Sequence, residues 1–447
     1  MARDLAARVH VAAGAGFVAL WALVVADLAL HSTPLRRFAE LVLLALVVLA
    51  MLRASRHIRI LATVLAAGTA LAAWRAGDLG VVERGLRAAL PIGAFLPVVA
   101  LVRATVHASP TVPAIRERVG AMTDGERRVW MTAGAQLLGS ILTLGYVSVM
   151  RPLLPERLSP EERTRLAESG IRGLGLACAW SPFFVASAVA AQLVPGVSAW
   201  KIVALGGALS LVGWVIAHRM FDPGVDVATF ARALRRLGPI VAPTCALVGA
   251  VVATSAATGW NVLQSVVVIV PLACFGWFAL RARRAAAGAL RGVPAAAGRM
   301  SDEVLIFTAS TVFGATLAGA ALPDALTDRI AAIAAYPSIV IAVVVLVVLG
   351  LGIAGLHPMV SASVIVPTCV ALHLPIAEVV LAQTVVLSWA LSSTVAAWTL
   401  PVVVTSSVFE VPVGRLAFGP NLRFIAVYGT VAVALLGAFN ALLAASA

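Results

Sequence analysis

Apolar stretches long enough to cross a membrane recur from one end of this chain to the other. A hydrocarbon core about 30 Å thick is spanned by about 20 helical residues rising 1.5 Å each. Such stretches meet that length, and several, such as residues 339–351, are apolar on every side. A transmembrane β-barrel needs short segments that alternate apolar and polar residues, so that architecture is excluded. Of the 447 residues, 61% are hydrophobic and 12% charged, about half the charge of an ordinary soluble domain. The class that fits is an all-α polytopic membrane protein.

The 33 basic residues outnumber the 20 acidic ones, and Lys201 is the only lysine. The arginines are scattered among short connections rather than gathered on one basic face, which argues against nucleic acid as a partner. Membrane topology accounts for them instead. Arginine-rich connections lie at 53–59, 103–128, 151–172, 219–236 and 281–299, and the positive-inside rule assigns all of these to the cytoplasm. Arg36 and Arg37 are exceptions. The four cysteines (Cys178, Cys245, Cys274, Cys369) sit inside apolar segments without CxxC or Cys/His spacing, so they read as packing residues rather than as disulfides or zinc ligands.

Spans are expected at 9–31, 38–53, 58–75, 86–106, 170–194, 199–219, 239–257, 260–280, 303–322, 376–403 and 425–445. The first could pass for a signal peptide, but its length and the lack of a cleavage site mark it as an uncleaved span. Residues 126–150 have arginines at both ends, which a single crossing would place on opposite faces; a re-entrant hairpin from the cytoplasm, turning near Gly139-Ser140, resolves the conflict. Residues 337–371 have arginine-poor flanks and are interrupted at Gly355-Leu-His357-Pro358, so they read as a hairpin from outside. The expected order is therefore a first span within 1–37, a repeat at 38–219, a cytoplasmic connection at 220–238, and a repeat of inverted topology at 239–445. About eleven transmembrane helices and two hairpins result, in an inner (plasma) membrane, with the N-terminus cytoplasmic and the C-terminus outside.

After each hairpin comes a span broken by polar residues: Trp180-Ser181-Pro182 with Ser187 in one half, and Ser388-Trp389 with Ser392, Ser393, Thr394 and Pro401 in the other. Inverted repeats with discontinuous helices in matching places point to a secondary transporter and its site. Backbone groups freed by a break cannot face lipid, so they must line a polar cavity. Half-helices starting at Ser140 and at His357-Pro358 would aim N–H groups and positive dipole ends there. The candidate solute-binding residues are Ser140, Thr143, Ser181, His357, Ser361, Ser392, Ser393 and Thr394, a set suited to a small anion such as a carboxylate. His357, with a reference pKa of about 6.5, is the candidate for proton coupling. A cation held by carbonyls and hydroxyls is the alternative.

These features resemble the ion transporter superfamily, which includes divalent anion:sodium symporters, arsenite and citrate permeases and the large permease of TRAP carriers. The resemblance rests on the order of spans over 38–445 and on Gly355-Leu-His-Pro-Met-Val-Ser-Ala-Ser-Val-Ile-Val-Pro367, Ser392-Ser-Thr-Val-Ala-Ala-Trp-Thr-Leu-Pro401 and Pro420-Asn-Leu-Arg-Phe424. It implies an elevator-like alternating-access carrier working as a homodimer in membrane lipid, with a proton or sodium as coupling ion and no other cofactor. The family's symporters carry a Ser-Asn-Thr type motif at both hairpin tips, whereas this chain has asparagine at neither tip. Sodium coupling and dicarboxylate specificity are therefore not carried over. Two other classes compete: a membrane-embedded enzyme acting on a lipid-linked substrate, for which no paired carboxylates or His/Asp cluster stand out, and a channel-like or accessory protein.

Overall fold

Among the described residues of the computed structural model every regular element is a helix, as expected from a chain whose backbone polar groups must be satisfied within each segment. The structure describes all residues except Met1, Leu79, 109–118, Gly120, 143–145, 152–153, 156–157, Pro195, 319–334 and Ala447. Thr143 and most of the connection expected outside at 323–336 thus lie outside the described residues.

The helices run in the order α1 (Ala2–Leu30), α2 (Thr33–Arg53), α3 (Arg56–Ala76), α4 (Gly80–His107), α5 (Asp124–Leu142), α6 (Tyr146–Met150) and α7 (Pro160–Cys178). Next come α8 (Val185–Leu193), α9 (Ala199–Phe221), α10 (Val227–Arg235), α11 (Gly238–Thr258), α12 (Val262–Arg281), α13 (Arg283–Ala297) and α14 (Ser301–Ala318). The chain ends with α15 (Pro337–Ile353), α16 (Pro358–Ala371), α17 (Glu378–Val395), α18 (Leu400–Phe409), α19 (Val413–Phe418) and α20 (Pro420–Ala445). Eight stretches among the described residues are long and apolar enough to cross a membrane: His10–Leu30, Arg56–Arg75, Gly80–Val106, Ala199–Phe221, Val241–Thr258, Val262–Arg281, Glu378–Phe409 and Val413–Ala445.

The chain divides into two compact units, and each draws on both halves of the sequence. The first comprises Met1–Ser109, Ala257–Ala331 and Ala362–Leu374. Within it α4 is the enclosed helix, packed by α1, α12, α13 and α14. Proline leaves a carbonyl one turn earlier without its helical donor; Pro271 does this to Val267, and the indole of Trp21 donates to that carbonyl at 2.8 Å.

The second unit comprises Pro110–Ala256, Ala332–Ser361 and Pro375–Ala447. Here α17 is central, buried along nearly its whole length against α7, α8, α9, α15 and α20. Its core includes Leu176, Leu209, Ile341, Val345, Leu387, Leu391, Phe424 and Tyr428. Beside it α5 lies along α7, where Gly139 and Gly170 bring the helices close: a Cβ on either would sit 2.7 Å from Leu174 or Met131. Small residues at such seams are the usual device where apolar lipid gives helices no hydrophobic reason to associate.

Two expectations need correction. No turn occurs at Gly139-Ser140, because α5 continues through both residues to Leu142. Gly139 serves close packing, and the Ser140 hydroxyl is absorbed inside the helix by donating to the Leu137 carbonyl at 2.7 Å. Ser140 therefore stands in the last turn of a helix rather than starting one. The second correction concerns Cys245, which is exposed whereas the other three cysteines are buried.

Candidate functional site

Among the described residues of the second unit, three helix interruptions bear on the expected site. The first separates α7 from α8 at residues 179–184, where Pro182 lacks an N–H and Ser181 replaces regular pairing with side-chain bonds. The Ser181 hydroxyl donates to the Ser140 carbonyl and accepts the Phe183 N–H at 3.1 Å, while Ser187 donates to the Ser181 carbonyl at 2.7 Å. The buried end of α7 is closed from another helix, the Gln383 amide on α17 donating to the Ala179 carbonyl at 2.8 Å.

The second interruption, residues 396–399, separates α17 from α18. It falls after Ser392-Ser393-Thr394 and before Pro401, the segment that the sequence marks as broken. The Thr399 hydroxyl donates to the Ala396 carbonyl at 2.7 Å, and the Trp398 indole donates to the Gly352 carbonyl at 2.6 Å, which closes the end of α15.

The third interruption follows α15, at residues 354–357. Gly355 has φ +106°, a conformation that L side chains rarely adopt, so this turn requires glycine. Pro358 then opens α16, where its missing N–H costs no helical bond. His357 behaves differently from a free donor at a helix start: its Nδ1 accepts the Met359 N–H at 3.2 Å. A nitrogen that accepts carries no proton, so in this arrangement the neutral ring has its proton on Nε2. The ring meets Trp389 edge-on, centroids 5.2 Å apart.

The expected site residues therefore fall into two groups. Ser140 and Ser181 are joined by a hydrogen bond, and Thr394 packs against Gly175 on α7 while donating to its own Ala390 carbonyl at 2.8 Å. His357, Ser361 and Ser392 form the other group: Ser361 is one turn beyond His357, and Ser392 one turn beyond Trp389, facing Gly352. Ser393 is only partly buried, and its carbonyl accepts from Thr399 at 3.3 Å. Among the buried side-chain atoms of this unit without a hydrogen-bond partner are the hydroxyls of Ser361 and Ser392 and the Gln383 Oε1, alongside others such as the Trp130 and Trp180 indoles and the Tyr428 hydroxyl. Buried polar groups are paired in the great majority of cases, so each of these unsatisfied atoms is a candidate contact for a polar guest.

Sequence reasoning missed Gln383, Trp398 and Arg172. The last was counted with a cytoplasmic connection, yet it is buried on α7, donating to Asn421 Oδ1 at 2.9 Å and Ser169 Oγ at 3.0 Å and lying 4.1 Å over the Phe221 ring. A strongly polar side chain inside an apolar run, as in Ile171-Arg172-Gly173-Leu174 or Ala382-Gln383-Thr384-Val385, was the available signal. The chain matches no protein-family model and no characterised protein at a significant level.

Proposed function

We propose that this protein is a secondary carrier of a small anionic solute, such as a carboxylate, in an inner membrane. The observation that carries this reading is the gathering of three interrupted helices in one unit, with the unpartnered Ser361, Ser392 and Gln383 atoms among them. Helices are discontinuous at membrane depth only where the break is buried in protein or lines a polar cavity, and paired discontinuous helices are a feature of transporter sites. The two broken helices come from corresponding places in the two halves of the sequence, which supports inverted repeats and alternating access between two faces. In this reading 126–150 and 337–371 are the re-entrant hairpins, and the N-terminus is cytoplasmic.

His357 is the coupling residue. A proton added at Nδ1 ends its acceptance of the Met359 N–H and frees that donor at the positive end of α16, so protonation and anion binding favour each other. The test is counterflow in proteoliposomes with labelled small carboxylates and inorganic anions across pH 5–8. His357→Gln, whose amide oxygen can still accept the Met359 N–H, is expected to keep the fold and lose most of the pH dependence. An unchanged pH profile would make the histidine structural and favour coupling by a cation. Failure of every such anion to exchange would refute the carrier itself.

A further inference from the structure

We propose that the first unit holds a separate site for a zwitterionic phospholipid headgroup, one bearing a phosphate and a primary ammonium. A cavity of about 290 Å³ opens there, at the lower end of the sizes that accept small molecules. It lies at helix ends: its walls come from the last turns of α1, the α1–α2 turn, the start of α2, the early turns of α4 and the start of α12. Helix ends of membrane spans mark the boundary where headgroups reside.

The charges of this cavity are built into pairs. Arg36 donates from Nε and Nη2 to the two oxygens of Asp27 at 2.9 and 3.2 Å, and Arg87 donates to Glu40 at 3.1 Å and Glu83 at 2.7 Å. Each guanidinium thereby spends two of its five N–H groups on these carboxylates and retains donors for a phosphate. Asp27, His31, Arg36 and Arg87 line the cavity itself, and the carboxylates of Glu40 and Glu83 act on it through Arg87. A simple anion meets the carboxylates and a simple cation meets the guanidiniums, whereas a zwitterion opposes both. The remaining wall is apolar, with Leu28 and Leu90 beside Trp260, a surface suited to the upper part of an acyl chain and to an aromatic residue at the interface. None of these residues belongs to the interrupted helices, so the inference is independent of what is transported.

The experiment uses purified, delipidated protein. Retained lipid is read by native mass spectrometry and the melting midpoint by tryptophan fluorescence, with short-chain phosphatidylethanolamine, phosphatidylcholine, phosphatidylglycerol and soluble glycerophosphoethanolamine. Phosphatidylethanolamine is expected to be retained at least fivefold over the other two lipids and to raise the midpoint by several degrees. The charge-balanced double variant Asp27→Asn/Arg36→Gln, and separately Trp260→Leu, which leaves the ion pairs intact, are expected to abolish that preference. Where the double variant melts early without lipid, Trp260→Leu decides. Equal retention of the three lipids, or a preference that survives Trp260→Leu, overturns the proposal. Stabilisation by glycerophosphoethanolamine equal to that by the lipid would assign the cavity to a soluble zwitterion and overturn the lipid assignment.

Discussion

At residue scale, two side chains report directly on the second unit. The Ser392 hydroxyl occupies the space a Cβ on Gly352 would need. Gly352→Ala should therefore destabilise by about 1–3 kcal/mol through overpacking, and adding Ser392→Ala, which removes the obstructing oxygen, should recover most of the loss. A double-mutant cycle on melting midpoints measures this; strict additivity would show that the two do not meet. Arg172 offers the second case. Its planar fork serves Asn421 and Ser169 at once while lying over Phe221, a geometry an ammonium cannot reproduce. Arg172→Lys should cost about 1–3 kcal/mol, the usual penalty for a buried acceptor left unpaired, seen as an earlier melt in detergent.

Among the elements, caps and breaks respond to chemistry rather than to hydropathy. α10 begins at Asp226, whose carboxylate accepts the Thr229 N–H at 2.9 Å. Hydrogen bonding from Thr229 holds the carboxyl below its ordinary range. A carboxyl with a lowered folded-state pKa adds stability that is fully present above the unfolded value of about 3.9, and that stability is lost as pH falls through the lowered value. Amide hydrogen exchange in the first turn of α10, corrected for intrinsic rates, should accelerate as pH drops below about 4. Asp226→Ala should show the faster exchange at neutral pH and little further change on acidification. The breaks in α7–α8 and α17–α18 follow the same logic, since each is closed by side chains, Ser181 and Gln383 for one and Thr399 for the other.

For the whole molecule, orientation is the quantity that decides the inverted-repeat reading. In a background with all four native cysteines replaced, which exposed Cys245 makes necessary, a cysteine at the exposed Glu161 should react only with cytoplasmic reagent. One at His373, which is exposed after α16, should react only from outside. Cytoplasmic labelling of His373 would remove the inverted topology and the basis for alternating access.

Helix, span and break were legible in the sequence where they depend on local chemistry. Runs of apolar residues without alternation permit only helices in lipid, and serine with proline at 181–182 and glycine before His357-Pro358 mark interruptions through their local chemistry. The break expected at Gly139-Ser140 failed because glycine is ambiguous in a membrane helix: it can end the helix or let a neighbour approach, and only the position of Leu174 on α7 decides between them. The same holds for polar side chains. Whether a buried hydroxyl is absorbed by its own helix, as at Ser140, or left without a partner, as at Ser392, depends on what the other helices bring to it. Sequence by itself determined an all-helical membrane chain and most of its interruptions, since these follow from backbone hydrogen bonding in a solvent that offers none. Tertiary structure alone decided that Gln383 and Trp398 belong with the breaks and that Arg172 is buried against Asn421, because such contacts join residues as far as 249 positions apart in the chain.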